Sequence, residues 1–260
     1  MEDYLQTEFT DLRVWLTPVT EQWATLALQG PRARDILAPL LEGMDLSPGA
    51  MAHMSVREGA LRGVPLRLMR ASFSGELGFE INVPADHGAA VWDLLLDSGR
   101  PHGLMPYGLE ALDVLRVEKG FIIIGQDTDG AQTPADLGMA RMVGAAKGDF
   151  VGARSLALPH LASAGRRQFV GLRPRGSAKG LEEGVQLVGA ADPAPGTHAQ
   201  GHVTSVRYSP TLARTIALGL LESGRMRLGE TIHALTLEGA VEMEIVAPTF
   251  FDPEGRRLHG

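Results

Sequence analysis

Phe73-Ser74-Gly75-Glu76-Leu77-Gly78-Phe79-Glu80 is the stretch from which the first half of the chain is read. Gly75 and Gly78 open a tight turn, and the residues after them alternate. Phe79, Ile81 and Val83 are apolar; Glu80 and Asn82 between them are polar. A period of two predicts a strand that buries Phe79, Ile81 and Val83 and turns Glu80 to the opposite face. Two readings of the carboxylates stay open. They are solvated residues of a hairpin, or one of them accepts two parallel N–H bonds from a planar donor pair.

Upstream of that turn, Met1 to Phe9 reads as the end of an amphipathic helix, and Leu12 to Leu16 and Trp23 to Leu28 as strands. Pro31 suits the first turn of a helix, where its missing N–H is not needed. That helix runs to about Leu41, with Ile36, Leu37, Leu40 and Leu41 on one face. Strands are expected near Met54 to Arg57 and over Leu66 to Phe73. Downstream, Ala85 to Leu96 reads as a helix with Val91, Leu94 and Leu95 inward. A second helix covers Tyr107 to Lys119, its buried side marked by Leu109, Leu112 and Leu115. This mixture predicts an α+β layer with an antiparallel or mixed sheet.

The pattern changes after about Gly165. Short β-like runs follow at Phe169 to Leu172, Val185 to Val188, His202 to Ser205, Ile216 to Leu218, Thr231 to Leu235 and Val241 to Val246. Turn residues separate them, which predicts a small barrel or sandwich. The expected domains are 1–160 and 165–260, divided by a linker near Leu156 to Arg167.

Composition narrows the function. With 24 Lys+Arg against 31 Asp+Glu the net charge is -7, and no basic stripe marks a nucleic-acid partner. The absence of cysteine rules out disulfides, thiolate metal sites and cysteine nucleophiles. No apolar run approaches the roughly 20 residues of a membrane helix. The acidic start lacks the pattern of a signal peptide, so the expected setting is cytoplasmic, with no membrane partner. Nucleotide-binding glycine fingerprints and a nucleophile elbow are absent. His198 and His202 are four apart but lack an evident third ligand, so no metal site is expected.

Two further segments carry candidate chemistry. In Gly108 to Gly120, Arg116 follows Leu115 and so points about 100° away from the apolar stripe. It is either a surface arginine in a salt-bridged helix or a partly buried guanidinium that anchors an anionic ligand or a carboxylate of a site. In Gly125 to Gly138, Asp127 and Asp129 resemble half of a calcium loop without its terminal glutamate; a structured connection is the expectation.

These segments together resemble the glycine-cleavage T-protein family. Phe73 to Glu80 is similar to its turn-and-strand motif, Gly108 to Gly120 to its arginine-bearing helix, and Gly125 to Leu137 to the loop that follows. Lys147 to Gly152 and Gly201 to Pro210 are similar to later steps of the family. Within the family, Trp15 to Arg34 and Phe250 to Gly255 look like the C-terminal folate-binding region of the sarcosine oxidase alpha subunit. The resemblance covers nearly the whole chain. It implies a T-protein-like folate-binding fold with ferredoxin-like α/β layers, its first part incomplete, followed by a C-terminal β-barrel.

The implied cofactor is tetrahydrofolate, with flavin and NAD only on other parts of the complex. Glu80 matches the carboxylate that binds the pterin through its N3–H and 2-amino group. Phe73 falls where the family has a ring, usually a tyrosine, lining the site. Arg116 matches the arginine near the folate. The family's key aspartate lies upstream of anything matching Met1, so no catalytic residue is assigned and the chain is expected to be truncated relative to the family. The implied function is tetrahydrofolate binding for methylene transfer coupled to oxidative demethylation of sarcosine. The implied partners are folate and other sarcosine oxidase subunits or a missing N-terminal segment. Two alternatives are a free-standing aminomethyltransferase and a non-catalytic folate-binding or assembly module.

Overall fold

The computed structural model describes residues 1–260, the side chain of Ala145 excepted. Two compact units make up the chain. The first comprises Met1–Ser72, Glu76–Pro106 and Leu258–Gly260; the second comprises Phe73–Gly75 and Tyr107–Arg257.

The first unit is a four-stranded antiparallel sheet with helices. Helix α1 (Glu2–Thr7) buries none of its residues. Strand β1 (Trp23–Gln29) is followed by α2 (Ala33–Leu37), whose Ile36 and Leu37 are buried. The helix stops short of the expected Leu41 because Pro39 has no N–H to continue the ladder, and 38–40 tighten into a 3-10 turn. Leu40 stays buried even so. Strands β2 (Val56–Leu61), β3 (Val64–Met69) and β4 (Gly78–Pro84) complete a sheet of order β1-β4-β3-β2. Helix α3 (Gly88–Gly99) buries Val91 and Leu95.

The alternation read from Phe79 onward holds. Phe79, Ile81 and Val83 are fully buried, and Glu80 and Asn82 are half-buried on the other face. In register, Phe79 faces Leu28, and Ile81 lies between Leu26 and Leu68. Burying side chains of this size stabilises by about 1.5–3 kcal/mol each, and a slip of one residue would expose all of them.

One expected strand is absent. Residues 12–16 take irregular backbone, with Leu12, Val14 and Trp15 exposed. Alternating apolar character alone does not make a strand; its N–H and C=O groups need a pairing partner, and none of the described strands pairs with this segment.

The second unit starts with α4 (Leu109–Lys119) and includes the short α5 (Ala153–Leu156). The six short runs of the C-terminal region form β5 (Arg167–Pro174), β6 (Gln186–Val188), β7 (Gly201–Ser209), β8 (Arg214–Glu222), β9 (Thr231–Thr236) and β10 (Gly239–Val246). They close into a barrel of order β10-β5-β8-β7-β6-β9. Its interior holds Val170, Leu172, Leu187, Val203, Ile232 and Met243, all almost fully buried. The observed architecture is therefore an α+β layer followed by a closed six-stranded barrel. No helix among the described residues is long and apolar enough to cross a membrane.

Helix α4 packs against β7 and β8, but with a different face from the one expected. Leu109 is 83% exposed, while Arg116, Val117, Glu118 and Lys119 are buried. The leucine stripe and the packed stripe differ by about one residue's rotation, 100°. Residues 113, 116 and 117 share one face at helical spacing, and this face lies against the barrel strands. Gly120 ends the helix in the left-handed region (φ 73°), its N–H returning to Arg116 O and Val117 O. A Cβ there would sit 2.5 Å from Pro248 O.

Candidate functional site

Glu80 belongs to the first unit. The β4 register places it opposite Ala27 on β1 and Met69 on β3, away from the apolar core. Its carboxylate makes no hydrogen bond or ion pair with any described residue. The same face carries a polar and aromatic fringe. Thr25 donates to Asn82 Oδ1 at 2.7 Å, and the Arg67 guanidinium lies 5.1 Å from the Trp23 ring centroid. Glu80 is thus a half-buried acceptor pair with a small residue on one side and a flexible thioether on the other.

Phe73 and Arg116 belong to the second unit. Phe73 is half-buried and stacks on Phe121 (centroids 5.9 Å apart, 19° between planes). Phe121 in turn donates its N–H to Arg116 O at 2.9 Å and accepts from Arg116 Nη1 at 3.3 Å. The structure therefore links Phe73 to Arg116 through one residue, while Glu80 lies in the other unit.

Arg116 is fully buried, which removes the surface reading. Its Nε donates to Asp113 Oδ1 at 2.5 Å, its Nη1 to Asp127 Oδ2 at 2.6 Å and its Nη2 to Ser205 Oγ at 2.8 Å. A buried guanidinium needs such partners, because desolvation of an unpaired charge costs several kcal/mol. Asp127 is equally buried and accepts also from Ile123 N (2.9 Å), Thr204 Oγ1 (2.5 Å) and Ser205 Oγ (2.7 Å).

Neighbouring residues of a regular strand point to opposite faces, yet Thr204 and Ser205 bind one carboxylate. The reason is a β-bulge: the β7–β8 register passes from Val203↔Gly219 to Ser205↔Leu218, leaving Thr204 as the extra residue. The network continues outward. Asp113 Oδ2 accepts from Arg207 Nε at 2.5 Å, and Arg207 Nη1 reaches Glu183 at 2.9 Å. Burial alone would lower the Arg207 pKa, but the bonds and charges of Asp113 and then Glu183 hold it above its usual value.

Sequence reasoning singled out Arg116 and missed most of its partners. Asp113 was legible as a carboxylate three residues earlier on the same helix. Asp127 was visible as an acidic loop residue but read against a calcium pattern. In the structure it is taken by protein donors, and Asp129 Oδ1 accepts from Ala131 N at 2.7 Å. Thr204 and Ser205 carry no sequence signal, because a bulge is set by the partner strand. His198 pairs with Glu222 at 2.8 Å. Among the described residues there is no cluster of three or more potential metal ligands.

A second polar centre lies at the edge of a cleft of about 460 Å³ lined by Pro134, Ala140, Val143, Leu156, Leu161 and others. Asp136 there accepts from Thr133 N (2.7 Å), Thr133 Oγ1 (3.0 Å) and both Nε and Nη2 of Arg166 (2.9 and 2.8 Å). Burial would raise its pKa. The bonds from Arg166 and Thr133, with the guanidinium charge, outweigh burial and hold the carboxyl below its ordinary 3.8.

Comparison with known proteins covers both units. Residues 1–147 match the family model of the GCVT N-terminal domain, and residues 167–252 match that of the glycine cleavage T-protein C-terminal barrel domain. The chain is 43% identical along its whole length to the sarcosine oxidase subunit alpha of Corynebacterium sp. (strain P-1), and spans 27% of that protein. It is 33% identical to the aminomethyltransferase of Moorella thermoacetica (strain ATCC 39073 / JCM 9320) over 92% of the chain and 62% of the relative. Among solved structures, glycine cleavage system aminomethyltransferase T from Bartonella henselae superposes with a TM-score of 0.73 at 25% identity. That match covers 88% of the chain and 59% of the other protein.

Proposed function

Because the chain belongs to the glycine cleavage T-protein family, we propose that it is a tetrahydrofolate-binding module for one-carbon transfer, coupled to oxidative demethylation of sarcosine as part of a sarcosine oxidase alpha subunit. The observation that carries this reading is the Glu80 carboxylate. It is half-buried, has no partner among the described residues, and lies opposite Ala27 and Met69 on a sheet face. Two acceptor oxygens in a partly dehydrated setting suit the paired N–H donors of a pterin. The similarity to sarcosine oxidase alpha subunits along the whole of this chain, 26–27% of those proteins, at 40–43% identity, supports the choice of amine.

In this reading Glu80 fixes the pterin and Phe73 offers a ring for stacking beside Phe121. Arg116 acts from behind. Its donors hold Asp113 and Asp127, so its contribution is to keep the Phe121 loop and the β7 bulge in place and to supply positive charge. When bound, tetrahydrofolate supplies the nitrogens that accept the one-carbon unit. The chain's own contribution is position, the proximity term of catalysis. Flavin chemistry belongs to other parts of the complex.

Anaerobic calorimetric titration with tetrahydrofolate, beside Glu80→Gln, tests the proposal. Wild type is expected to bind, and the mutant to bind about tenfold or more weakly, since hydrogen bonds to a charged group contribute roughly 1.5–3 kcal/mol. A folded wild type that does not bind, or a mutant that binds equally, refutes it. The structural likeness to an aminomethyltransferase favours one alternative, a free-standing enzyme of that kind. Transfer from an aminomethyl-lipoyl donor to tetrahydrofolate by this chain would support that alternative; folate binding without turnover would favour a non-catalytic module.

A further inference from the structure

We propose, on the reading that tetrahydrofolate stacks on Phe73, that Lys119 is a positioning residue for that ring and acts through the turn that carries it. Every residue involved lies in the second unit. Lys119 is the last residue of α4 and is only 9% exposed. Its Nζ donates to Asp252 O at 2.5 Å and to Asp252 Oδ2 at 3.0 Å. Its stem lies against Gly75. A Cβ added at Gly75 would stand 2.9 Å from Lys119 Cδ and 3.1 Å from Lys119 Cγ. Gly75 has φ 80°. The position therefore needs the left-handed region and leaves no room for a side chain above the lysine.

Both ends of that lysine are fixed. Residues 249–252 form a strap over the end of the helix. Phe250 N and Phe251 N donate to Glu118 O at 2.8 and 3.0 Å, and Thr249 Oγ1 donates to Lys119 O at 3.2 Å. Asp252, which receives the ammonium, is itself held. Its Oδ1 accepts from Arg256 N at 2.9 Å and its Oδ2 from Arg257 N at 3.1 Å. Burial would raise the Asp252 pKa. The bond from Lys119, and next the N–H groups of Arg257 and Arg256, outweigh it and hold the carboxyl below its ordinary value.

A buried ammonium is a costly way to fill this space, since an apolar side chain of similar size avoids the lost hydration. What the ionic anchor adds is a fixed path for the stem between the helix end and the strap, and Gly75 packs on that path. Phe73 stands two residues before Gly75 and stacks on Phe121, two residues after Lys119. Phe121 is tied to Arg116 through its N–H and its C=O. One ring of the pair is thus held by Arg116 and the other, through its turn, by Lys119. A ring already in place lowers the ordering cost that a ligand stacking on it must meet.

The test uses the full chain and two readouts. The first, without ligand, is the nuclear Overhauser cross-peak between the Phe73 and Phe121 ring protons. The second is tetrahydrofolate affinity by anaerobic calorimetry. Lys119→Met keeps an unbranched stem one atom shorter and removes the anchor, and it is expected to lose the cross-peak. Lys119→Arg keeps a cation for Asp252 and should retain it. Asp252→Asn, which leaves the lysine in place and weakens only its anchor, should move both readouts the same way as Lys119→Met. Affinity should fall about three- to tenfold in Lys119→Met, the scale of a stacked ring pair. In a Phe73→Leu background the same change should cost less than about twofold, because the ring it positions is gone. An unchanged cross-peak in both Lys119→Met and Asp252→Asn, or an equal affinity loss in the two backgrounds, would overturn the inference and leave Lys119 a purely structural residue. A folded wild type that binds no tetrahydrofolate refutes the folate reading instead; the cross-peak alone then decides whether Lys119 sets the Phe73 ring.

Discussion

Replacing Arg116 by methionine tests whether the buried network, rather than the apolar stripe of α4, ties that helix to the barrel. The substitution keeps an unbranched stem, two atoms shorter than arginine, and removes the donors to Asp113, Asp127, Ser205 and Phe121 O. Asp127 is fully buried and would lose its ion-pair partner Arg116 while retaining three donors, Ile123 N, Thr204 and Ser205. Asp113 is 16% exposed and keeps Arg207. Leaving a buried charge unpaired costs about 3–5 kcal/mol. The retained donors place the expected loss toward the lower end, about 3 kcal/mol. Arg116→Lys restores charge without the planar fork and should recover about one third of it.

The assay is urea unfolding followed by far-UV circular dichroism, with amide hydrogen exchange at Leu218 and Leu220 assigning the loss to the second unit. A double-mutant cycle with Asp127→Asn should return a coupling of about 1–3 kcal/mol. A loss below about 1 kcal/mol for Arg116→Met, or additive single mutants, would refute the reasoning.

Other expectations follow from neighbouring features. The depressed Asp136 carboxyl stabilises the fold above its ordinary pKa of 3.8 and loses that contribution as pH falls below it. Asp136→Asn weakens the charge-assisted bonds from Arg166 and Thr133 and should cost about 2 kcal/mol near neutral pH, and the difference from wild type should shrink in acid, read from urea midpoints at stepped pH. Gly120→Ala should cost about 2 kcal/mol or more, because the position has φ 73° and faces Pro248 O; an unchanged midpoint would contradict this. Phe73→Leu should weaken tetrahydrofolate binding about three- to tenfold, while Phe73→Tyr keeps it, on the scale of an aromatic pair. Calorimetry that gives the wild type and both variants the same affinity would remove Phe73 from the proposed contacts.

The elements most legible in the sequence were those whose pattern and partners agree. Phe79 to Val83 alternates strictly, and the sheet buries the side that alternation selects. The barrel strands were separable because turn residues punctuate them. Where pattern and packing diverged, the sequence misled. Leu109, Leu112 and Leu115 form a clear stripe, but α4 is held by the polar face one residue's rotation away. Leu12 to Leu16 has strand-like composition and no pairing partner among the described strands. The carboxylate at position 80 was readable from its place in the alternation, whereas the donors around Asp127 depend on a bulge.

The closed barrel also governs the order in which the chain can mature. Its first strand, β5, pairs on one side with β8 and on the other with β10, where Leu172 meets Ile245. During synthesis β5 emerges well before β10, so one of its edges must stay unsatisfied until the last strand has left the ribosome. Ring closure of this kind depends on contacts distant in sequence and is intrinsically slow. Nascent chains stalled before Val246 should therefore be the aggregation-prone and protease-sensitive species.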